Sequence, residues 1–273
     1  MSTQSIRPPA TTITKVDPAR KPIPVKWVLA LLSLCCLLIG GCEPECPDPA
    51  PVPPMTGELA DHYDLILAGR YGPARVRLRQ FIDAAPQDAR AHFLMGLSHH
   101  RERSYSKAVP WFEQALAAGP PYPPAAHFLG WALYHVGEAA KSQAAFQRHL
   151  QLDPEEGDTH FGLGVLALER GDIDAADAFF GNAITLQRSN PDRRGGVAKS
   201  LARRSEVLEQ RGDVAGAVVM LAEAVSLEPD LYEALYRQAR LLRRLGRDDE
   251  AAAAEAAAEE AAARVESSDG RPR

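Results

Sequence analysis

The sequence predicts an all-α fold, a superhelical solenoid of about six helix–turn–helix units, and three observations carry that prediction. First, glycines recur at a fixed step. Gly96, Gly130 and Gly164 are 34 residues apart, as are Gly137 and Gly171, and Gly212 and Gly246. Second, the chain shows columns of small side chains when written in 34-residue lines starting at 55, 89, 123, 157, 198 and 232. Position 8 holds Gly96, Gly130, Gly164, Ser205 and Ala239; position 20 holds Ala74, Ala108, Ser142, Ala176, Ala217 and Ala251. Position 27 adds Ala115, Ala183, Ala224 and Ala258, with Phe81 and His149 as departures. Third, position 24 holds a large plug (Leu78, Phe112, Phe146, Phe180, Leu221) and position 32 holds Pro86, Pro120, Pro154 and Pro229. A period of this length marks a stack of similar supersecondary units.

Each column has a physical role. Two helices approach closely only where side chains are small, so positions 8, 20 and 27 are contact points and position 24 fills the space between units. Glycine at position 15 (Gly69, Gly137, Gly171, Gly212, Gly246) ends the first helix, because it takes the left-handed cap cheaply. Asp172 and Asp213 follow it and suit the start of the second helix. Proline at position 32 cannot continue a helix, so the second helix stops there. One unit cannot bury its apolar face alone; stacked neighbours bury a continuous core.

These columns resemble the tetratricopeptide repeat (TPR), and the resemblance covers residues 55 to about 265. Units are expected at 55–88, 89–122, 123–156, 157–190, 198–231 and 232–265. The first is weak in its first half, with His62 at position 8. In the second, Pro110 falls inside the second helix and should kink it, at about 3 kcal/mol if uncompensated. Gly119 to Pro124 (GPPYPP) makes a stiff link, with Pro124 suited to a helix start. Between units four and five the step is 41, from Gly171 to Gly212. The extra residues around 187–197 either bulge as a loop or start the next helix early. Arg188, Arg193, Arg194, Lys199, Arg203 and Arg204 gather there, as a solvated basic segment or a docking patch for an acidic partner. The last unit runs into the alanine-rich stretch 251–263, a capping helix that should fray near Ser267 into a disordered tail at 266–273. No apolar heptad repeats there, which argues against a coiled-coil seam.

The resemblance also implies where a partner would sit. In this family the first helices line the concave face, with positions 5, 9 and 12 pointing into it. Carried over, these are Phe93, Leu97 and His100; His127, Trp131 and Tyr134; Phe161, Val165 and Leu168; Ala202, Glu206 and Glu209; and Tyr236, Arg240 and Arg243, with Tyr63 in the first unit. The groove would be aromatic and apolar in its middle and charged at its far end, which suits an apolar or amphipathic peptide. The competing reading is that some of these side chains pack against neighbouring helices. Family members that hold the carboxylate tail of chaperones use Lys at position 5 and Asn at position 9 of the first unit. Leu59 and Tyr63 stand there instead, so that clamp is not expected.

Nothing in the chain argues for an enzyme, a metal site or a cofactor. The eight histidines show no HExxH spacing, and His92 and His160 at position 4 read as partly buried aromatic substitutes. Gly162-Leu163-Gly164 lies inside an expected helix with no strand before it, so it is not a dinucleotide loop. Residues 42–273 carry 26 basic and 35 acidic side chains, a net charge of −9 that disfavours nucleic acid.

The N-terminus supplies an address. Residues 27–39 are apolar apart from Ser33, too short to span a bilayer but right for a signal-peptide core. Arg7, Lys15, Arg20, Lys21 and Lys26 precede it, against one acid, Asp17. Ile39-Gly40-Gly41-Cys42 then resembles the lipobox of bacterial lipoproteins. That resemblance implies a signal peptide at 1–41 and lipid on the Cys42 thiol. The alternatives are a short uncleaved N-terminal membrane anchor and a cytosolic protein with a misread start. Residues 43–54 (EPECPDPAPVPP) read as a polyproline stalk reaching roughly 37 Å at about 3.1 Å per residue. Cys35 and Cys36 leave with the signal, so Cys46 is left as the one free thiol and no disulfide is expected.

The functional expectation is a non-enzymatic scaffold or adaptor, lipid-tethered in the bacterial cell envelope and binding a protein or peptide partner in its groove. Its alternatives are a pilotin-like or chaperone-type lipoprotein for secretin, pilus or outer-membrane protein assembly, and a self-associating structural envelope protein.

Overall fold

The computed structural model describes residues 55–269; the leader, Cys42, the proline stalk and residues 270–273 lie outside them. The described chain is a run of helix pairs. They are α1 Glu58–Leu67 with α2 Tyr71–Ala84, α3 Ala89–Arg101 with α4 Tyr105–Ala117, and α5 Pro124–His135 with α6 Ala139–Leu152. Then come α7 Gly157–Glu169 with α8 Ile173–Arg188, α9 Arg194–Gln210 with α10 Val214–Leu227, and α11 Tyr232–Arg244 with α12 Asp248–Asp269. Among the described residues there is no strand, and each helix packs on its sequence neighbours, as a TPR-like superhelix requires.

The intra-pair turns follow from backbone chemistry. Gly69, Gly137, Gly171, Gly212 and Gly246 all have φ between +71 and +84°. At Gly137 the chain closes a Schellman turn: the Gly137 N–H donates to the Tyr134 carbonyl and the Glu138 N–H to the Leu133 carbonyl, both at 2.9 Å. The second unit makes the same turn with Arg103, at φ 58°, where an L side chain is strained. Asp172 and Asp213 cap α8 and α10, accepting from the backbone N–H of Ala175 and Gly216.

Inside each pair, position 8 meets position 24. Phe112, Phe146 and Phe180 are fully buried against Gly96, Gly130 and Gly164. The first unit departs from this pattern. His62 is buried at position 8, and Phe81 meets its ring edge-on at 6.3 Å.

Helix α4 is continuous through Pro110, which lies on its exposed face. One expectation needs correction: the final helix continues to Asp269, so residues 266–269 are helical rather than tail. Alanine, glutamate and arginine favour that extension, and Ser267 bonds back to the Arg264 carbonyl.

The seven-residue excess is helical, the second of its two expected forms. Helix α8 extends to Arg188, a 3-10 turn covers Pro191–Arg193, and α9 begins at Arg194. A buried polar network fastens it to α7. Gln187 Nε2 donates to Asp158 at 2.6 Å, Ser200 Oγ donates to Gln187 Oε1 at 2.9 Å, and Arg193 pairs with Asp158 and Glu156. The Asp158 side chain is only 1% exposed, so its charge depends on these partners.

Candidate peptide-binding face

The first helices of the pairs carry the sixteen positions expected to meet a partner, and the structure divides them. In α3, α5 and α7 most are sealed. Phe93, Leu97, His100, His127, Trp131, Phe161 and Val165 are buried. Phe93 lies 4.9 Å from Tyr122 and 5.4 Å from Phe128, ring to ring; Trp131 lies 5.4 Å from Phe146 and 6.1 Å from Phe161. The expectation of an aromatic groove in the middle of the solenoid is therefore corrected. These rings are spent on one another and on the next repeat, because stacking them inside the protein removes more apolar surface from water than leaving them as a wall. Tyr63, Tyr134 and Leu168 are half-buried, and the Tyr134 hydroxyl bonds to Glu169.

In α9 and α11 the same positions open. Ala202, Glu206 and Glu209 are partly exposed, and Tyr236, Arg240 and Arg243 are exposed. Glu206 is held by Arg203 at 3.0 Å and by Arg237, and Glu209 by Arg240 at 2.9 Å and Arg244 at 2.6 Å. At α11 the opening has a topological cause. Tyr236 occupies the column of Phe93, His127 and Phe161, yet it is 42% exposed, since no further first helix follows α11 among the described residues.

The profile of the tetratricopeptide repeat matches this chain three times, over residues 64–123, 129–191 and 203–265. The chain belongs to the tetratricopeptide repeat family. A stretch of 112 residues is 26% identical to tetratricopeptide repeat protein 37 of Xenopus laevis, covering 39% of this TPR chain and 7% of that protein. Among solved structures it is similar to pilF of Pseudomonas aeruginosa (TM-score 0.62, 18% identity, 72% of this chain and 86% of that one). It is also similar to the Cut9–Hcn1 hetero-tetramer of the APC/C (TM-score 0.61, 16% identity, 86% and 43%). A third likeness is to MamA of Desulfovibrio magneticus RS-1 (TM-score 0.54, 14% identity, 64% and 94%). At these identities the likenesses fix the TPR fold and nothing finer. A fold of stacked TPR units implies a protein-interaction scaffold.

Other functional-looking groups resolve into parts of the TPR stack. His92 bonds the Pro86 carbonyl at 2.8 Å, which makes Nε2 the protonated nitrogen, and it lies beside Trp111 at 6.0 Å. His127 and His149 share the Thr159 hydroxyl, at 2.9 and 2.7 Å, deep between the third and fourth units. Burial holds the His127 ring well below its usual pKa, with His149, His100 and Arg193 adding repulsion, and burial lowers His149 as well. His100 is pushed down to about 3, chiefly by burial. Such rings are neutral and structural rather than poised for proton transfer. Among the described residues, no cluster of three His, Cys, Asp or Glu side chains could hold a metal, and no helix is long and apolar enough to cross a membrane.

A recurring clasp between units is not legible in the sequence. Position 21 of one unit reaches position 14 of the next: Arg75 to Glu102 at 3.0 Å, Arg170 to Gln143 at 2.9 Å, and Arg211 to Asp177 at 2.7 Å. The two intervening steps are apolar by residue type, Val109 with Val136 and Val218 with Leu245. Charge identity varies along this column, so a search for one repeated residue does not find it. The expected basic docking patch near 187–204 is also largely consumed. Arg188 pairs with Glu223, Arg193 with Asp158 and Glu156, and Arg204 with Asp177 at 2.6 Å.

Proposed function

We propose that this protein is a lipid-tethered scaffold of the bacterial cell envelope that holds a segment of a partner protein against the open face of its last two units. One observation carries the choice of face. The column occupied by buried Phe93, His127 and Phe161 ends in the exposed Tyr236, beside exposed Arg240 and Arg243. Aromatic and arginine side chains are the commonest anchors of protein interfaces. The tether is read from Ile39-Gly40-Gly41-Cys42 and the proline-rich segment after it, which would hold the solenoid away from a bilayer.

Partner binding is favoured over end-to-end self-association by charge. Helix α1 carries Glu58, Asp61 and Asp64 and no basic residue. Helix α12 carries eight carboxylates against Arg264 alone. Stacking the first helix of one copy on the last helix of another would bring like charges together.

Two measurements test the reading. Cys42→Ala should release the protein from the membrane fraction or leave it unprocessed. A photo-crosslinking amino acid placed at Tyr236 in the full chain should capture a discrete envelope protein, whereas the same group at buried Trp131 should not. A Cys42→Ala variant that is processed and membrane-bound like the parent removes the lipid tether; equal capture from both sites removes the chosen face.

A further inference from the structure

The open face of the last two units has an unbalanced charge. Five guanidiniums, of Arg203, Arg237, Arg240, Arg243 and Arg244, meet three carboxylates there, of Glu206, Glu209 and Glu255. Each of Glu206 and Glu209 is shared by two arginines. The basic segment at the insertion is the opposite case. Arg188, Arg193 and Arg204 meet four carboxylates, of Glu156, Asp158, Asp177 and Glu223. The insertion's arginines are matched by carboxylates of the neighbouring helices, while α11 carries four arginines against Glu233 alone on a protein that is acidic overall.

Exposure points the same way. The side chains of Arg240, Arg243 and Arg244 are 61, 52 and 50% exposed. A guanidinium has five N–H donors, and each of these three is seen donating to a single carboxylate. Tyr236 stands one turn before Arg240 on the same helix and offers an apolar ring to a neighbour.

We infer that this face takes an acidic amphipathic segment of a partner protein, with carboxylates on Arg240, Arg243 and Arg244 and an apolar side chain on Tyr236. The inference rests on the scaffold reading above and names the chemistry of its partner. A nucleic acid fits less well. Its phosphates would run unbroken past Glu206 and Glu209, and the net negative charge of the protein repels a polyanion.

The test uses the full chain in detergent and a fluorescent peptide of glutamate, leucine and phenylalanine, read by anisotropy. Versions with glutamine or lysine in place of glutamate serve as comparison, with a single-stranded oligonucleotide as a competitor. The acidic peptide should bind about tenfold tighter than the glutamine version at low salt and lose that margin at high salt. Arg240→Glu with Arg244→Glu should weaken it about tenfold more, and Tyr236→Ala should weaken it at every salt concentration. Arg70→Glu, at the other end of the solenoid, should leave binding unchanged, and circular dichroism should show equal helix content in all variants. Equal binding of the glutamine or lysine peptide, still lost in Tyr236→Ala, overturns the acidic inference and leaves the scaffold standing. An oligonucleotide that competes as well as the acidic peptide makes this a general anion site and also overturns it. If no peptide binds, the inference falls, and crosslinking at Tyr236 decides the scaffold reading separately.

Discussion

Gly130 lies so close under the ring of Phe146 that a Cβ on it would stand 2.5 Å from two ring carbons. Gly96 meets Phe112 and Gly164 meets Phe180 in the same way, at 2.6 Å. The Phe146 ring also faces Gly162 of the next unit, where a Cβ would come within 2.6 Å. One phenylalanine thus joins both helices of its own unit to the unit that follows, and glycine on each side is what admits it.

Gly130→Ala should therefore destabilise the protein by about 1–3 kcal/mol, as overpacking does. Gly181→Ala is the matched control. It lies inside α8 with nothing within 4 Å of its added methyl group, so helix propensity alone should stabilise by about 0.5–1 kcal/mol. Urea denaturation reads both; a Gly130→Ala protein as stable as the parent would refute the contact.

Arg103→Gly should stabilise. Arg103 holds φ 58° where five other units hold glycine, and the left-handed conformation costs an L residue about 1–2 kcal/mol. Part of the gain is offset by the greater freedom of glycine in the unfolded chain, leaving about 0.5–1 kcal/mol. The reverse change, Gly137→Ala at φ 82°, should cost a similar amount. A lower denaturation midpoint for Arg103→Gly would contradict the strain.

Asp158→Ala should be among the most damaging single changes. It strips Arg193 and Gln187 of a buried partner, and removing one member of a buried ion pair costs about 3–5 kcal/mol. The loss falls on the join between α7 and the insertion. Hydrogen exchange should quicken first in α8 and α9, and uniform exchange across the solenoid would count against that placement.

Stability should fall as the pH drops below that of an unperturbed histidine, about 6.5. His100, His127 and His149 are all lowered in the folded state, mainly by burial. The unfolded chain then binds more protons, so the stabilisation is complete above about pH 6.5 and is lost as the pH falls toward the folded values. Each such histidine contributes a slope of at most about 1.4 kcal/mol per pH unit. Protonating His127 is especially costly, because its Nε2 has no acceptor. His127→Phe should remove one proton from the slope between about pH 6 and 5, measured by denaturation at each pH. An unchanged slope would mean that the ring is already charged in the fold.

The repeat itself was legible because a solenoid writes its packing in sequence. Glycine at position 8, phenylalanine at position 24 and glycine at position 15 each answer a local steric demand that recurs every 34 residues. Spacing therefore determines the helix pairs, the left-handed turns and the aspartate caps. The binding face was not determined in that way. Positions 5, 9 and 12 recur in every unit, and the aromatic residue type does not tell sealed from open: Phe93 and Trp131 are sealed while Tyr236 is open, because exposure depends on whether another helix follows. Charge pairing was hidden for the same reason. Arg193 and Arg240 are equally basic in sequence, but only the tertiary structure shows that one meets an excess of carboxylates and the other a deficit. Local sterics are set residue by residue; accessibility and net local charge belong to neighbours that the chain brings together only when it stacks.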